Sequence, residues 1–249
     1  MSSPRRMLAI LDLFTAEHPI WAIDDIMLRL GYARATGYRY VKDLVEVGLL
    51  QKVSAGYYSL GGRVIELDYQ LRQTDPVLRA ARGVMDKLAS RSGFDVVLSV
   101  LYPGPRVIDI HRVEGKENLS LSHGRGRPRP VFRGGAPKVL LAYQPRAYLM
   151  RLYQEHAGDI AINGMGSDWA EFRAYLAAIR KRELYVSIGE LDPFIGAAAV
   201  PILNADTEIV AALAMVGNDR TVENFGEERL ERELRRSRRD IENSLRASA

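Results

Sequence analysis

Apolar positions recur with helical spacing in the first part of the chain. Met7, Ile10, Leu11 and Phe14 follow the i, i+3, i+4, i+7 pattern of an amphipathic helix. Ile23, Ile26, Met27 and Leu30 repeat it and stop at Gly31, a natural helix end. A short turn precedes a third helix, whose buried face is Val41, Leu44 and Val45 and which closes near Gly48. The runs 49–53 and 57–60 flank a Ser54-Ala55-Gly56 turn and predict a hairpin. Three helices and a hairpin, with a Gly-containing turn between the second and third helices, predict a winged helix-turn-helix over residues 1–61. The same periodicity also fits a plain three-helix domain with an ordinary solvated face.

Residues 62–75 predict a linker helix with Val64, Leu67 and Leu71 on one side, broken at Asp75-Pro76. The second domain is expected over 76–249. It opens with a helix on Leu78, Ala81, Met85 and Leu88 that stops at Gly93. Strands follow at 95–101, 107–113 and 118–122, the first two separated by Tyr102-Pro103-Gly104-Pro105, a strong turn signal. Helices are expected near 136–144, 145–155 and 168–182, and strands at 184–189, 196–203 and 208–216. A charged helix from Glu223 to Arg246 ends the chain. Strands in hairpins, with helices between and after them, give an α+β fold around a mostly antiparallel sheet.

Composition adds bounds. A chain of 249 residues fits one large domain or two modest ones, and the absence of cysteine removes disulfides, thiolate metal sites and thiol nucleophiles. No apolar run approaches the roughly 18 residues of a membrane helix. Met1 to Arg6 has no following signal-peptide pattern, so a cytoplasmic location is expected. The net charge of +4 is a weak argument for nucleic acid. Residues 1–63 carry eight basic side chains against six acidic ones, so half of that surplus sits in the first quarter.

The exposed side of the third helix carries Ala35, Thr36, Arg39, Asp43 and Glu46, with Tyr40 and Lys42 at its flanks. Arg39 and Thr36 are placed to read bases, because Arg can donate two bonds to guanine. Arg34, Tyr38, Lys42 and the wing residue Lys52 are placed to hold phosphates. The acidic C-terminal half repels phosphate, so the helix should enter the major groove of double-stranded DNA by its N-terminal end. Paired reading heads predict a pseudo-palindromic operator.

Other signals are weaker. Arg125-Gly126-Arg127-Pro128-Arg129-Pro130 resembles a minor-groove hook, but it falls inside the second domain, where a solvated loop, a subunit contact or attraction of a charged ligand also accounts for it. His18, His111, His123 and His156 lack metal-ligand spacing, and neither a Gly-x-Ser-x-Gly elbow nor a Walker loop is present. Nothing supports Asp109 and Glu190 as an acid/base pair. No catalytic residue, metal or cofactor is expected. An enzyme acting on a small organic acid, or a ligand-independent architectural DNA binder, are the competing readings.

The ordered set of blocks resembles the IclR family of bacterial regulators. Met7-Leu8-Ala9-Ile10-Leu11-Asp12-Leu13-Phe14 is similar to its opening helix. Thr36-Gly37-Tyr38-Arg39 with Leu44 to Leu50 is similar to its recognition helix and wing entry, and Gly56 to Gly61 to its wing exit. Ile110 to Gly115, Lys138 to Ala142 and Ala197 to Ile202 are similar to blocks of its second domain. The chain departs from the family at Ala35, where a small hydroxyl residue is usual, and at Gly37, where Ala is usual. Gly37 either lets the backbone approach DNA or is simply tolerated.

The resemblance implies a GAF-like effector domain and homodimers that pair into a homotetramer. It also implies an effector lying against the sheet near a helix N-terminus, lined by Phe132, Gly134, Gly135, Ala136, Ser187, Ala197, Ala214 and Val216. Free N–H groups and two glycines at a helix start suit a carboxylate. Family members that bind small oxo-acids are expected to have polar residues at the positions of Ala197, Ser187, Ala214 and Val216, and three of these four are apolar here. An acid with an apolar, aromatic body is one reading and ordinary core packing the other. Asp109, His111 and Arg133 are candidate polar contacts.

Overall fold

The computed structural model describes residues 2–247. Contacts divide the chain after Thr74 into two units.

In the N-terminal unit the opening helix is shorter than its periodicity predicts. Helix α1 spans Ser3–Leu8 with Pro4 in its first turn, and a 3-10 turn covers Leu11–Leu13. The indole Nε1 of Trp21 donates to the Leu13 carbonyl at 2.8 Å, and Phe14 turns extended, so the helix cannot continue through residue 14. Ile10 still ends up fully buried. Strand β1 (Trp21–Ala22), too short to leave a pattern, leads into α2 (Ile23–Leu30). Asp24 and Asp25 sit in the first turn of α2, where the helix dipole favours them, and Gly31 ends it at φ +66°.

Helix α3 (Arg34–Glu46) packs on α2 through Tyr40, Val41 and Leu44. Two expectations need correction here. Tyr40 is not at the edge of the exposed face: it is buried, and its hydroxyl pairs with Ser3 Oγ at 2.8 Å. Gly37 is buried against α2, and a Cβ there would lie 2.4 Å from Met27 Cγ. The glycine therefore serves the close approach of two helices rather than an approach to DNA. Strands β2 (Leu50–Ser54) and β3 (Tyr57–Leu60) form the wing hairpin, and β1 extends it to a sheet of order β1-β3-β2. Helix α4 (Arg63–Thr74) has no buried residue of its own.

The C-terminal unit begins with α5 (Pro76–Ser92). Asp75 caps it by accepting from the Leu78 N–H at 2.9 Å, a bond that stabilises by about 1 kcal/mol. Strands β4 (Asp95–Tyr102) and β5 (Arg106–Val113) form a hairpin with a bulge after Leu98. Then come α6 (Gly135–Ala142), α7 (Arg146–Ile162) and α8 (Trp169–Arg182), followed by β6 (Tyr185–Ile188), β7 (Ile195–Leu203) and β8 (Ile209–Asn218). The sheet has order β5-β4-β8-β7-β6, with every pair antiparallel.

The final helix divides at Gly226, where φ is +80°, into α9 (Asp219–Phe225) and α10 (Glu227–Ala247). The strand expected at 118–122 is absent. Residues 114–134 form a long connection, held to β5 by bridges from Arg125 to Asp109 and from Arg129 to Val107.

The sheet is covered on both faces. Leu78, Met85, Leu88, Leu230 and Leu234 of α5 and α10 pack against Val96, Leu98 and Leu213. On the other face α6 lies directly on the strands, because Ala199, Ala212 and Ala214 are small. A Cβ at Gly135 would already be 3.3 Å from Ala199 Cβ. This close seating brings the start of α6 down onto the floor of the sheet.

Candidate nucleic-acid interface and effector cavity

The exposed face of α3 and the wing meet in an open groove of about 400 Å³. Tyr38, Arg39 and Lys42 of α3, Lys52 of β2 and Tyr58 of β3 all line it. The geometry thus brings together four of the six residues expected at DNA, while Arg34 and Thr36 lie outside the groove. Arg34 is exposed at the start of α3, with its guanidinium 5.7 Å from the Tyr38 ring centre, and Thr36 is half-buried. The Arg39 guanidinium lies 5.6 Å from the Tyr40 ring centre, which steadies a side chain that otherwise projects into solvent. Lys42 is 3.6 Å from Glu46, a solvated pair that contributes little. Tyr58 had no sequence signal beyond its place in the wing.

In the C-terminal unit a cavity lies between the start of α6 and the sheet. Gly134, Gly135, Ala136, Ser187, Ala197, Ala214 and Val216 line it, as expected. Four other expected residues do not. Phe132 is buried in the adjoining core, with its ring near His156. Arg133 is exposed, and its Nε donates to the Glu190 carbonyl at 2.6 Å. His111 pairs across the bulge with Leu98, which packs toward α5, so it occupies the opposite face of the sheet. Asp109 is buried and outside the lining, bonded to Arg129 and His123, which line the cavity.

What lines the rest of the cavity was not legible. His123 and Arg129 come from the long connection, and Glu190, Leu191 and Asp192 from the loop between β6 and β7. The Arg129 side chain is only 7% exposed and meets Asp109 at 2.8 Å, while Ser99 Oγ accepts from it at 2.6 Å. His123 Nδ1 is 2.9 Å from the other Asp109 oxygen. Burial alone would push the Asp109 carboxyl up. The His123 hydrogen bond, the Arg129 charge and the Ser99 hydroxyl outweigh it and hold the group below the ordinary carboxylate value. Within the apparent minor-groove hook the Arg129 side chain is buried in an ion pair and Arg125 donates to the Ile110 carbonyl at 2.8 Å, while Arg127 and both prolines stay exposed.

The α6 N-terminus already holds a carboxylate. Glu190 accepts from the Gly134 N–H at 2.9 Å, from Lys138 Nζ at 2.7 Å and from the Tyr185 hydroxyl at 2.8 Å. Burial, with the Tyr175 and Glu190 contacts, pushes the Tyr185 hydroxyl well up, so it stays a donor. Gly134 has φ +87°, which explains that glycine, whereas the closeness of Ala199 explains Gly135. The N–H groups of Gly135 and Ala136 have no partner among the described residues. The free volume is about 30 Å³, roughly the share of one water in the liquid. Leu191 lines the cavity on the side of Gly134.

Among the described residues no three His, Asp or Glu side chains gather in a way that could hold a metal ion. No described helix is long and apolar enough to cross a membrane.

Comparison with known proteins gives a consistent result. The profile described as the IclR helix-turn-helix domain matches residues 3–54, and the one described as the bacterial transcriptional regulator IclR C-terminal matches residues 70–243. The HTH-type transcriptional regulator KipR of Bacillus subtilis is 25% identical over 213 residues, covering 85% of this chain and 84% of that protein. XynR of Escherichia coli, also an HTH-type transcriptional regulator, is 26% identical over 217 residues, covering 86% and 85%. An IclR transcriptional regulator from Alicyclobacillus acidocaldarius superposes with a TM-score of 0.79 at 22% identity over 98% of each chain. An IclR homolog from Microbacterium hydrocarbonoxydans, solved with 4-hydroxybenzoate, gives 0.78 at 24% identity over 99% of this chain and all of the other. This chain belongs to the IclR family of bacterial transcriptional regulators, and is a helix-turn-helix DNA-binding protein rather than an enzyme.

Proposed function

We propose that the chain is a sequence-specific operator binder whose affinity for DNA is set by a small aromatic carboxylate in the cavity beneath α6. The observation that carries this reading is the pairing of two unpartnered N–H groups, Gly135 and Ala136, with an apolar floor of Ala197, Ala214 and Val216. The N–H groups suit an acid group and the floor suits a ring, which cannot be replaced there by a polar body without leaving its groups unpaired. That the Microbacterium homolog was solved with 4-hydroxybenzoate supports the choice of an aromatic acid.

A ring does not fit in about 30 Å³, so binding requires Leu191 and its loop to withdraw. That requirement is itself the means of control, because a ligand shifts an equilibrium only by its differential affinity for two states. Arg39 and Thr36 are assigned to bases, and Arg34, Tyr38, Lys42 and Lys52 to phosphates of a pseudo-palindromic operator. Residues 1–61 are the DNA-binding unit, 62–75 a linker helix and 76–249 the effector-binding unit. Homodimers, pairing into a tetramer, are supported by the unburied apolar side of α4, where Ile65 is 75% and Tyr69 65% exposed.

A thermal-shift series tests the effector. An aromatic carboxylate at about 100 times its dissociation constant stabilises by about 2.7 kcal/mol, a rise of roughly 5–10 °C. Stabilisation by 2-oxo acids alone would refute the apolar body, and silence to every acid would refute the effector reading.

A further inference from the structure

We infer that Glu190 is a resident carboxylate that competes with the effector for the start of α6, so that its charge limits how tightly the cavity holds an acid. This rests on the carboxylate reading of that helix end. The N–H groups of Gly134, Gly135 and Ala136 are consecutive, and Glu190 occupies the first of them at 2.9 Å. An acid on the next two meets the Glu190 carboxylate within about one peptide unit, roughly 4 Å. Like charges that close, in a site with room for little water, strongly oppose each other's binding.

The cavity wall does not offset this clash. Two acids, Glu190 and Asp192, line it, while Arg129, the one Arg or Lys among its described lining residues, is committed to Asp109 at 2.8 Å. The cation that serves the helix start is Lys138, whose side chain is only 4% exposed and meets Glu190 at 2.7 Å. Lys138 lies on the far side of Glu190, where with Arg133, Tyr175 and Tyr185 it lines an open groove of about 830 Å³. Glu190 lines both the groove and the cavity. An incoming acid thus comes under the Lys138 charge by taking the place of Glu190. The exchange does not strand the displaced carboxylate. Pushed off the Gly134 N–H, it keeps Lys138 and the Tyr185 hydroxyl as donors on the groove side, so one hydrogen bond is given up and no charge is left buried and unpaired.

Calorimetric titration of the full chain with 4-hydroxybenzoate, phenylacetate and the neutral 4-hydroxybenzamide tests the assignment, in wild type and in Glu190→Gln. The glutamine keeps the size of the side chain and removes its charge. Both acids are expected to bind the variant on the order of 10- to 100-fold more tightly than wild type, with binding of the amide unchanged. A Glu190 that only shaped the helix end would affect acid and amide alike. Should the glutamine variant fold poorly, Glu190→Ala takes its place with the same expectation. Acid binding that is unchanged or weaker in the folded variant overturns the competing role while leaving the effector reading intact, and so does equal tightening of acids and amide. Failure of both acids to bind wild type and variant overturns the two readings together.

Discussion

Replacing Asp109 with Ala is expected to destabilise the C-terminal unit by about 3–5 kcal/mol, because it removes one partner of a buried ion pair and strands the other. Asp109 receives Arg129 at 2.8 Å, Ser99 at 2.7 Å and His123 at 2.9 Å, so the substitution removes three contacts of the cluster at once. At roughly 2–4 °C per kcal/mol for a unit of this size, the melting temperature at pH 7 falls by about 6–20 °C. Ser99→Ala removes a hydroxyl but leaves the ion pair, and is expected to cost about 1 kcal/mol.

The carboxyl of Asp109 is held below the ordinary carboxylate value. Its contribution is therefore complete above about pH 4, where the unfolded group is also ionised, and fades as pH falls through the lower folded value. The gap between wild type and Asp109→Ala should be constant near neutrality and narrow only below about pH 4. Equal melting temperatures at pH 7 would mean that Arg129 does not depend on this partner.

The second large effect lies on the DNA side. Arg39→Ala is expected to weaken binding to the preferred sequence by about 1–3 kcal/mol, some 5- to 150-fold, and to relax the preference at one base position in each half-site. Arg39 is exposed in the groove that Lys42 and Lys52 also line, so the loss comes from contact with DNA and not from unfolding. Lys52→Ala should act differently, weakening all sequences alike and reducing the salt dependence by about one ion. Anisotropy titrations at several salt concentrations separate the two. An Arg39→Ala protein with unchanged affinity and unchanged preference would place the reading residues elsewhere.

Local patterns were the legible part of the fold. The spacing of Val41, Leu44 and Val45 identifies α3 because a helix on a core needs that stripe, and Gly31 and Gly93 end helices by positive φ. Positions decided by distant partners were not legible. Tyr40 follows the exposed Arg39 at the edge of the apolar stripe, and its burial depends on a core drawn from other elements, with Ser3 at its hydroxyl. Leu119 and Leu121 alternate like a strand, yet their segment has no strand to pair with. Arg129 belongs to a run of Arg, Gly and Pro that reads as solvated, and its burial depends on an aspartate on β5.

In the cavity, the family blocks located the α6 start and the alanine floor. The loop residues Glu190, Leu191 and Asp192 reach the site only through the pairing of β6 with β7, and no motif marks that approach. Glu190 also had a different meaning from the one its charge suggested: it caps a helix and holds Lys138.

Selection of bound duplexes from a random-sequence DNA pool, run with and without 4-hydroxybenzoate, measures sequence reading and effector control together. An inverted repeat with half-sites one or more helical turns apart is expected to be enriched, and the acid is expected to change the affinity for it by about 1–3 kcal/mol, some 5- to 150-fold. A pool that stays random, or an enriched site whose affinity no aromatic acid alters, would overturn the assignment of an acid-controlled operator binder.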